Sequence, residues 1–399
     1  MKPVVTRCSS LIARFLLLIL LVPIVSFAQE RGPQAVSAAE LQKAIDQLGN
    51  LDFPIRMNAS RTVRRAPPAQ AVPALVKAVE EHKDGYVRFR ALVLLTGFND
   101  PRTTDIVRGL LTDPNNRLRE VSYTWYEHHP NPAMIPQLAQ LLEKEQDEFL
   151  RPAIIRALAA HGTDPRVQKI LLPDVKRGQD FFRSAVIEAL GDYRAAWAVS
   201  SISEVAKLDG PLQDDAVIAL GRIGDKGALE TLAGLQRTAQ RDTQPAIAAA
   251  ICLLGVNCPV HEKFLAETLR FASGNIGWQE LLRGTAAVVA ALGSRGNQTA
   301  LQLLLDVGVP ATDNQAVRGP LALAAATVAI RNTPLLLAAL EKYADRDGAV
   351  ELLAEGFDLL EEDYDEERFF ATVRRGYWQA PEGSPSRAVA ELLVQKLEF

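Results

Sequence analysis

From about residue 70 to residue 260 the chain alternates between two kinds of apolar run, each pair closed by a short polar turn. The first kind is seen in "FLRPAIIRALAAHG" and "FFRSAVIEALG", the second in "AMIPQLAQLLEK", "TTDIVRGLLTD" and "ALETLAGLQ". In "AMIPQLAQLLEK" the apolar residues Ile135, Leu138, Leu141 and Leu142 fall at helical spacing and form one stripe. Sustained two-residue alternation is missing, so the runs predict helices and not strands. Thr103 and Asp164 are residue types that start helices, and glycine serves as the left-handed C-terminal stop. The turns recur at Gly97, Gly162, Gly191, Gly224 and Gly255, about 30 to 33 residues apart where neighbours are clear. A helix pair of this size cannot bury its own apolar face, so stacked neighbours must do so. Small residues such as Ala153, Ala157, Ala185 and Ala189 let helix backbones approach.

The stretches "LLTDPNNRLREVS" (Leu110 to Ser122) and "VIALGRIGDKGALETL" resemble the HEAT-like repeats first named from phycobilisome lyases. The resemblance implies an all-α fold: a right-handed α-solenoid of about ten stacked helix pairs, HEAT- or armadillo-like and elongated. In such folds the second helices of successive pairs usually line the concave face, where Gln137, Gln140, Lys169 and Glu204 would be contact positions. The solenoid is expected over residues 37–399, with the clearest repeats at 70–260, divergent ones at 261–375 and a closing helix at 386–398. Ser37 and Glu40 fit a capping box that would open the first helix.

The N-terminus belongs to a different class. Lys2, Arg7 and Arg14 precede an apolar core of about eleven residues, and small residues stand before Gln29. Residues 1–28 therefore read as a signal peptide, followed by a flexible leader at 29–36, and place the chain in the periplasm or outside the cell. The core is too short for an ordinary membrane span, and no second span follows. Without the three basic residues the formal charge moves from −4 to about −7, with 41 basic against 48 acidic residues. A net-acidic exported chain is poorly matched to nucleic acid, where Lys and Arg supply most of the affinity.

Chemistry-bearing motifs are sparse. Deoxyhypusine hydroxylases hold a di-iron site with repeated His-Glu pairs in a HEAT-like fold, but this chain has one such pair, His261-Glu262. His82, His128, His129 and His161 are scattered or adjacent, and no His-Glu-x-x-His or Cys-x-x-Cys occurs. No metal, cofactor or catalytic set is therefore expected. Cys252 and Cys258 flank one turn, and they read either as a disulfide staple in an oxidising compartment or as two thiols on different faces. Trp125, beside Tyr126, stands where the next repeat has Ala157, and its ring either fills a gap or anchors an interface. Arg61, Arg64 and Arg65 cluster near the start of the folded part. Glu361, Glu362 and Asp363 belong to an acidic run from Glu341 to Glu367. These two charge features read as binding surfaces for a partner, as an end-to-end self-contact, or as solvated faces.

The function expected from these features is a non-enzymatic protein-protein interaction scaffold, with a protein or peptide partner. The other reading is an enzyme or enzyme accessory of the HEAT-like lyase type, holding a cofactor in the concave face.

Overall fold

Both kinds of apolar run are helices, and their alternation is the architecture. The computed structural model describes residues 34–360 and 362–399, and Pro33–Phe399 is one compact unit. The signal segment and most of the leader lie outside the described residues. Three helices open the fold: α1 (Ala38–Gln47), α2 (Phe53–Arg65) and α3 (Pro68–Glu81). The alternation then runs through α4 (Gly85–Gly97), α5 (Thr103–Leu110), α6 (Asn116–His128), α7 (Ile135–Lys144) and α8 (Arg151–Ala159). It continues with α9 (Pro165–Leu171), α10 (Asp180–Asp192), α11 (Val199–Ala206), α12 (Gln213–Ile223), α13 (Leu229–Thr238) and α14 (Gln244–Leu253). After these come α15 (Cys258–Ser273), α16 (Gln279–Ser294), α17 (Gln298–Gly308), α18 (Gln315–Arg331) and α19 (Thr333–Leu340). The last three are α20 (Arg346–Leu360), α21 (Asp363–Gln379) and α22 (Pro385–Lys396). No strand occurs among the described residues.

Local chemistry sets the boundaries. The capping box forms: the Glu40 amide donates to Ser37 Oγ at 3.2 Å, and the Ser37 amide donates to the Glu40 carboxylate at 3.0 Å. Asp164 caps α9 by accepting from the Arg166 amide at 2.9 Å. Thr103 is not a cap; it is the buried first residue of α5, and Arg102 holds the cap position. Gly224, at φ +82°, ends α12 in the left-handed region that other residues avoid. Gly97, Gly162 and Gly191, expected as stops, are not left-handed, and Gly191 and Gly221 have another role. They lie inside α10 and α12, where an added Cβ would come within 2.8 Å of Ala219 Cα and 2.6 Å of Ala250 Cα. Glycine at these points lets consecutive helices touch backbone to backbone.

Those contacts define two layers. The helices α4, α6, α8, α10, α12, α14, α16, α18 and α20 each pack on the next, and α3, α5, α7, α9, α11, α13, α15, α17 and α19 cover them. The result is an all-α solenoid. The first helix of each pair, not the second, faces inward, because it carries the small residues that permit close stacking. Gln137, Gln140, Lys169 and Glu204 are thus exposed on the covering layer.

The expected elongated course is corrected at the C-terminal end. Helix α21 packs on α4 as well as on α18, and α22 packs on α19, α20 and α21. The inner layer is therefore a closed circuit. The Phe357, Phe369, Phe370 and Phe399 rings meet at this seam with centroids 4.3 to 6.4 Å apart. Beside them Arg64 Nε donates to Glu367 Oε2 at 2.7 Å, the two side chains being 3% and 1% exposed.

Candidate functional site

Inside the circuit the inner helices bring their C-terminal ends together, and arginine recurs there. Arg156, Arg222 and Arg331 lie in the last turns of α8, α12 and α18, and Arg295 follows α16. The free carbonyls at helix ends carry partial negative charge, which favours cations at these positions. Arg295 uses it directly, donating from Nη2 to the Gly191 and Asp192 carbonyls at 3.2 and 2.9 Å. Burial holds its guanidinium below the ordinary arginine range. Helix α21 supplies the countercharge, beginning at this rim with Asp363, Asp365 and Glu366 in its first turn.

The side chains interlock around a chamber of about 460 Å³. Arg156 bridges Glu127 at 2.8 Å and Asp192 at 3.0 Å, and Tyr193 Oη donates to Glu127 at 2.7 Å. Arg222 reaches the other oxygen of Asp192 at 3.2 Å. Arg331 spans Glu362 at 3.0 Å and Asp365 at 3.1 Å. Burial opposes ionisation of Asp365, but the hydrogen bond from His128 and the charges of Arg331 and Arg368 hold it far below the usual carboxylate range. His128 Nε2 lies 3.0 Å from Asp365 Oδ1 and 3.2 Å from Arg368 Nη1, and its ring stacks on Tyr364.

Glu188 and Glu120 differ from the other carboxylates: neither forms an ion pair or side-chain hydrogen bond among the described residues. Burial raises the Glu188 carboxyl above its ordinary value despite nearby Arg222, and burial with the charge of Asp363 raises Glu120. Glu120, Thr124 and Glu127 share one face of α6 and line a second cleft of about 240 Å³. That cleft shares Glu127, Arg156, Arg331 and Glu362 with the chamber, and reaches the surface beside Phe149, which is 72% exposed.

The residues singled out from sequence fall into three places. Trp125 and Tyr126 are each 2% exposed and belong to the core, which rules out the interface alternative at these two positions. Trp125 fills its gap stacked on His129, with ring centroids 3.7 Å apart. The basic and acidic clusters meet within the chain. Arg61 contacts Glu398, Arg64 binds Glu367, Asp363 pairs with Arg90 and Glu362 with Arg331. Arg65 adjoins this seam on α2, and Glu361 lies outside the described residues. Cys252 and Cys258 have Cα atoms 4.3 Å apart and their sulfurs joined, so the thiols do not point to different faces.

Sequence reasoning missed Arg156, Asp192, Arg222, Arg295, Arg331 and Asp365. A signal existed in the arginines of "IIRALAAHG", "ALGRIGD", "LGSRGN" and "AIRNTP", which recur near the ends of inner helices. Period and apolarity conceal it, because these charges point inward from helix ends.

A family model described as HEAT repeats matches residues 41–124. No curated protein matches the chain. Among solved structures, YibA of Escherichia coli is similar at 17% identity and a TM-score of 0.40, covering 55% of this chain and 82% of its own. Importin beta is similar at 11% identity and a TM-score of 0.37, over 90% of this chain and 62% of importin. The CpcE–CpcF complex of phycocyanin lyase from Nostoc sp. is similar at 18% identity and a TM-score of 0.25, over 84% and 98%. Among the described residues, no single helix is long and apolar enough to cross a membrane.

Proposed function

We propose that this chain is an exported, non-enzymatic binding module that holds a segment of a protein partner in the inner chamber and its adjoining cleft. The observation that carries this reading is the interlocked ring of charges on rigid inner helices, with Glu188 and Glu120 left unpaired inside it. Positions fixed by neighbouring ion pairs recognise a polar segment at little ordering cost. Both carboxyls stand above their ordinary range, so a cationic side chain from a partner would relieve their desolvation. The exposed Phe149 and Phe181 rings, 6.2 Å apart, offer an apolar step beside the cleft. The N-terminal pattern supports export, to the periplasm or beyond the cell.

The test is cross-linking of the native chain in the exported fraction, with mass spectrometry to map the linked peptides. A reproducible protein partner linked to the inner helices, and lost in the Glu120→Gln/Glu188→Gln variant, is the expected result. A stoichiometric pigment or metal held in the chamber, without a protein partner, would replace this reading with the lyase-type one. N-terminal sequencing of the exported chain checks the compartment, with Gln29 expected first.

A further inference from the structure

The turn between α14 and α15 holds three groups whose arrangement is not accounted for by a disulfide alone. Cys252 lies in the last turn of α14 and Cys258 opens α15. Glu262 follows Cys258 by four residues, so the two share one face of α15, and Glu262 Oε1 lies 3.6 Å from Cys258 Sγ. The sulfur and carboxylate atoms of Cys252, Cys258 and Glu262 all lie within 4.8 Å of one another. When the sulfurs are joined, neither has a proton to donate, so the carboxylate faces lone pairs. When they are thiolates, three anionic groups repel. A cation among the three groups would offset that repulsion.

A second observation points the same way. Asn297 Nδ2 donates to Glu262 Oε1 at 2.6 Å, while its own Oδ1 accepts from the Ala300 amide at 2.9 Å as the cap of α17. The amide is thereby fixed at both ends, and it orients the carboxylate toward the sulfurs. Hydrogen bonds of this kind orient and tune the ligands in metal sites. Glu262 also lines a groove of about 120 Å³ bordered by Leu265, Leu303 and Asp306.

We infer that the reduced chain binds a zinc-type divalent cation through the Cys252 and Cys258 thiolates and the Glu262 carboxylate. Two sulfurs and one oxygen suit zinc or cobalt and not calcium or magnesium, and water completes four-coordination. The oxidised pair has no thiolate to offer, so disulfide and metal exclude one another. Reduction by a water-soluble phosphine gives the disulfide two electrons, and the phosphine becomes its oxide by taking oxygen from water. The two thiols take up the water protons, and the metal then displaces those protons into solution.

The experiment titrates Co2+ into the full-length protein anaerobically, oxidised and after phosphine reduction, reading the sulfur-to-cobalt absorption in the near ultraviolet. The expected result is stoichiometric binding to the reduced protein, none to the oxidised protein, and displacement by Zn2+. Asn297→Ala should weaken binding by about 10-fold, the lower end of losses at such supporting positions. Glu262→Gln should weaken it more, by about 100-fold or beyond. Circular dichroism of each variant establishes that the helices are intact. Absence of thiolate absorption in the reduced protein would overturn the inference. So would equal affinity of folded Glu262→Gln and the parent, which would mean simple chelation by two thiols, or equal binding by the oxidised chain.

Discussion

The middle of the solenoid and its closing seam are held together in opposite ways. Between α10, α12 and α14 the contact is between small apolar residues of adjacent repeats: Gly191 meets Ala219 and Gly221 meets Ala250. At the seam, α21 reaches residues 240 to 303 positions away through His128–Arg368, Arg90–Asp363 and Arg64–Glu367. The middle is therefore a sum of similar neighbour interfaces, each sequence-local. The seam is one long-range event that depends on buried charge. A lost methyl contact in the middle weakens one interface, whereas a lost partner at the seam leaves a charge stranded.

The largest effect is expected from Glu367→Ala. It leaves Arg64, and the largely buried Arg374 beside it, without countercharge, and should cost about 3–5 kcal/mol in chemical denaturation. A loss below that of an exposed pair would abolish the distinction between the two regions. Next is Gly221→Ala, whose new methyl meets Ala250 backbone in the middle; about 1–3 kcal/mol should be lost, with the circuit still closed.

A smaller effect sharpens the electrostatic side. Burial, reinforced by Asp363, pushes the Glu366 carboxyl up to about 7. The folded chain thus keeps this proton while the unfolded chain loses it near pH 4–5, so this group makes stability fall as pH rises toward 7. Glu366→Gln should match the parent near pH 4 and exceed it at pH 8 by on the order of 1–3 kcal/mol, measured by urea melts at both pH values. Asp365, held low by its partners, has the opposite sign: its contribution is present at neutral pH and is lost in acid. The smallest change is Arg61→Ala at the exposed pair with Glu398, expected to cost less than about 1 kcal/mol in the same melts.

What was legible in the sequence follows the same division. Apolar periodicity, the Ser37–Glu40 box and the Gly224 turn are local devices, and helices, repeat and fold class follow from them directly. The seam was not legible. Arg64 and Glu367 carry no mark of pairing across a sequence separation of 303, and the acidic start of α21 looks like any solvated face. Trp125 was undecided between gap-filler and anchor, because an outsized ring at a small-residue site gives the same sequence in both cases. The chamber arginines were hidden because charge at a helix end ordinarily points to water, and only closure turns these inward.

Closure also limits how such a chain can evolve. An open solenoid lengthens or shortens by whole repeats, since any new terminal unit exposes the same kind of face as the old one. Here α21 must arrive opposite α4 in angle and height, and each inserted pair would carry it past that position. The repeat count therefore behaves as an integer fixed by geometry, and diversification is confined to substitutions within units and to loops at the rims.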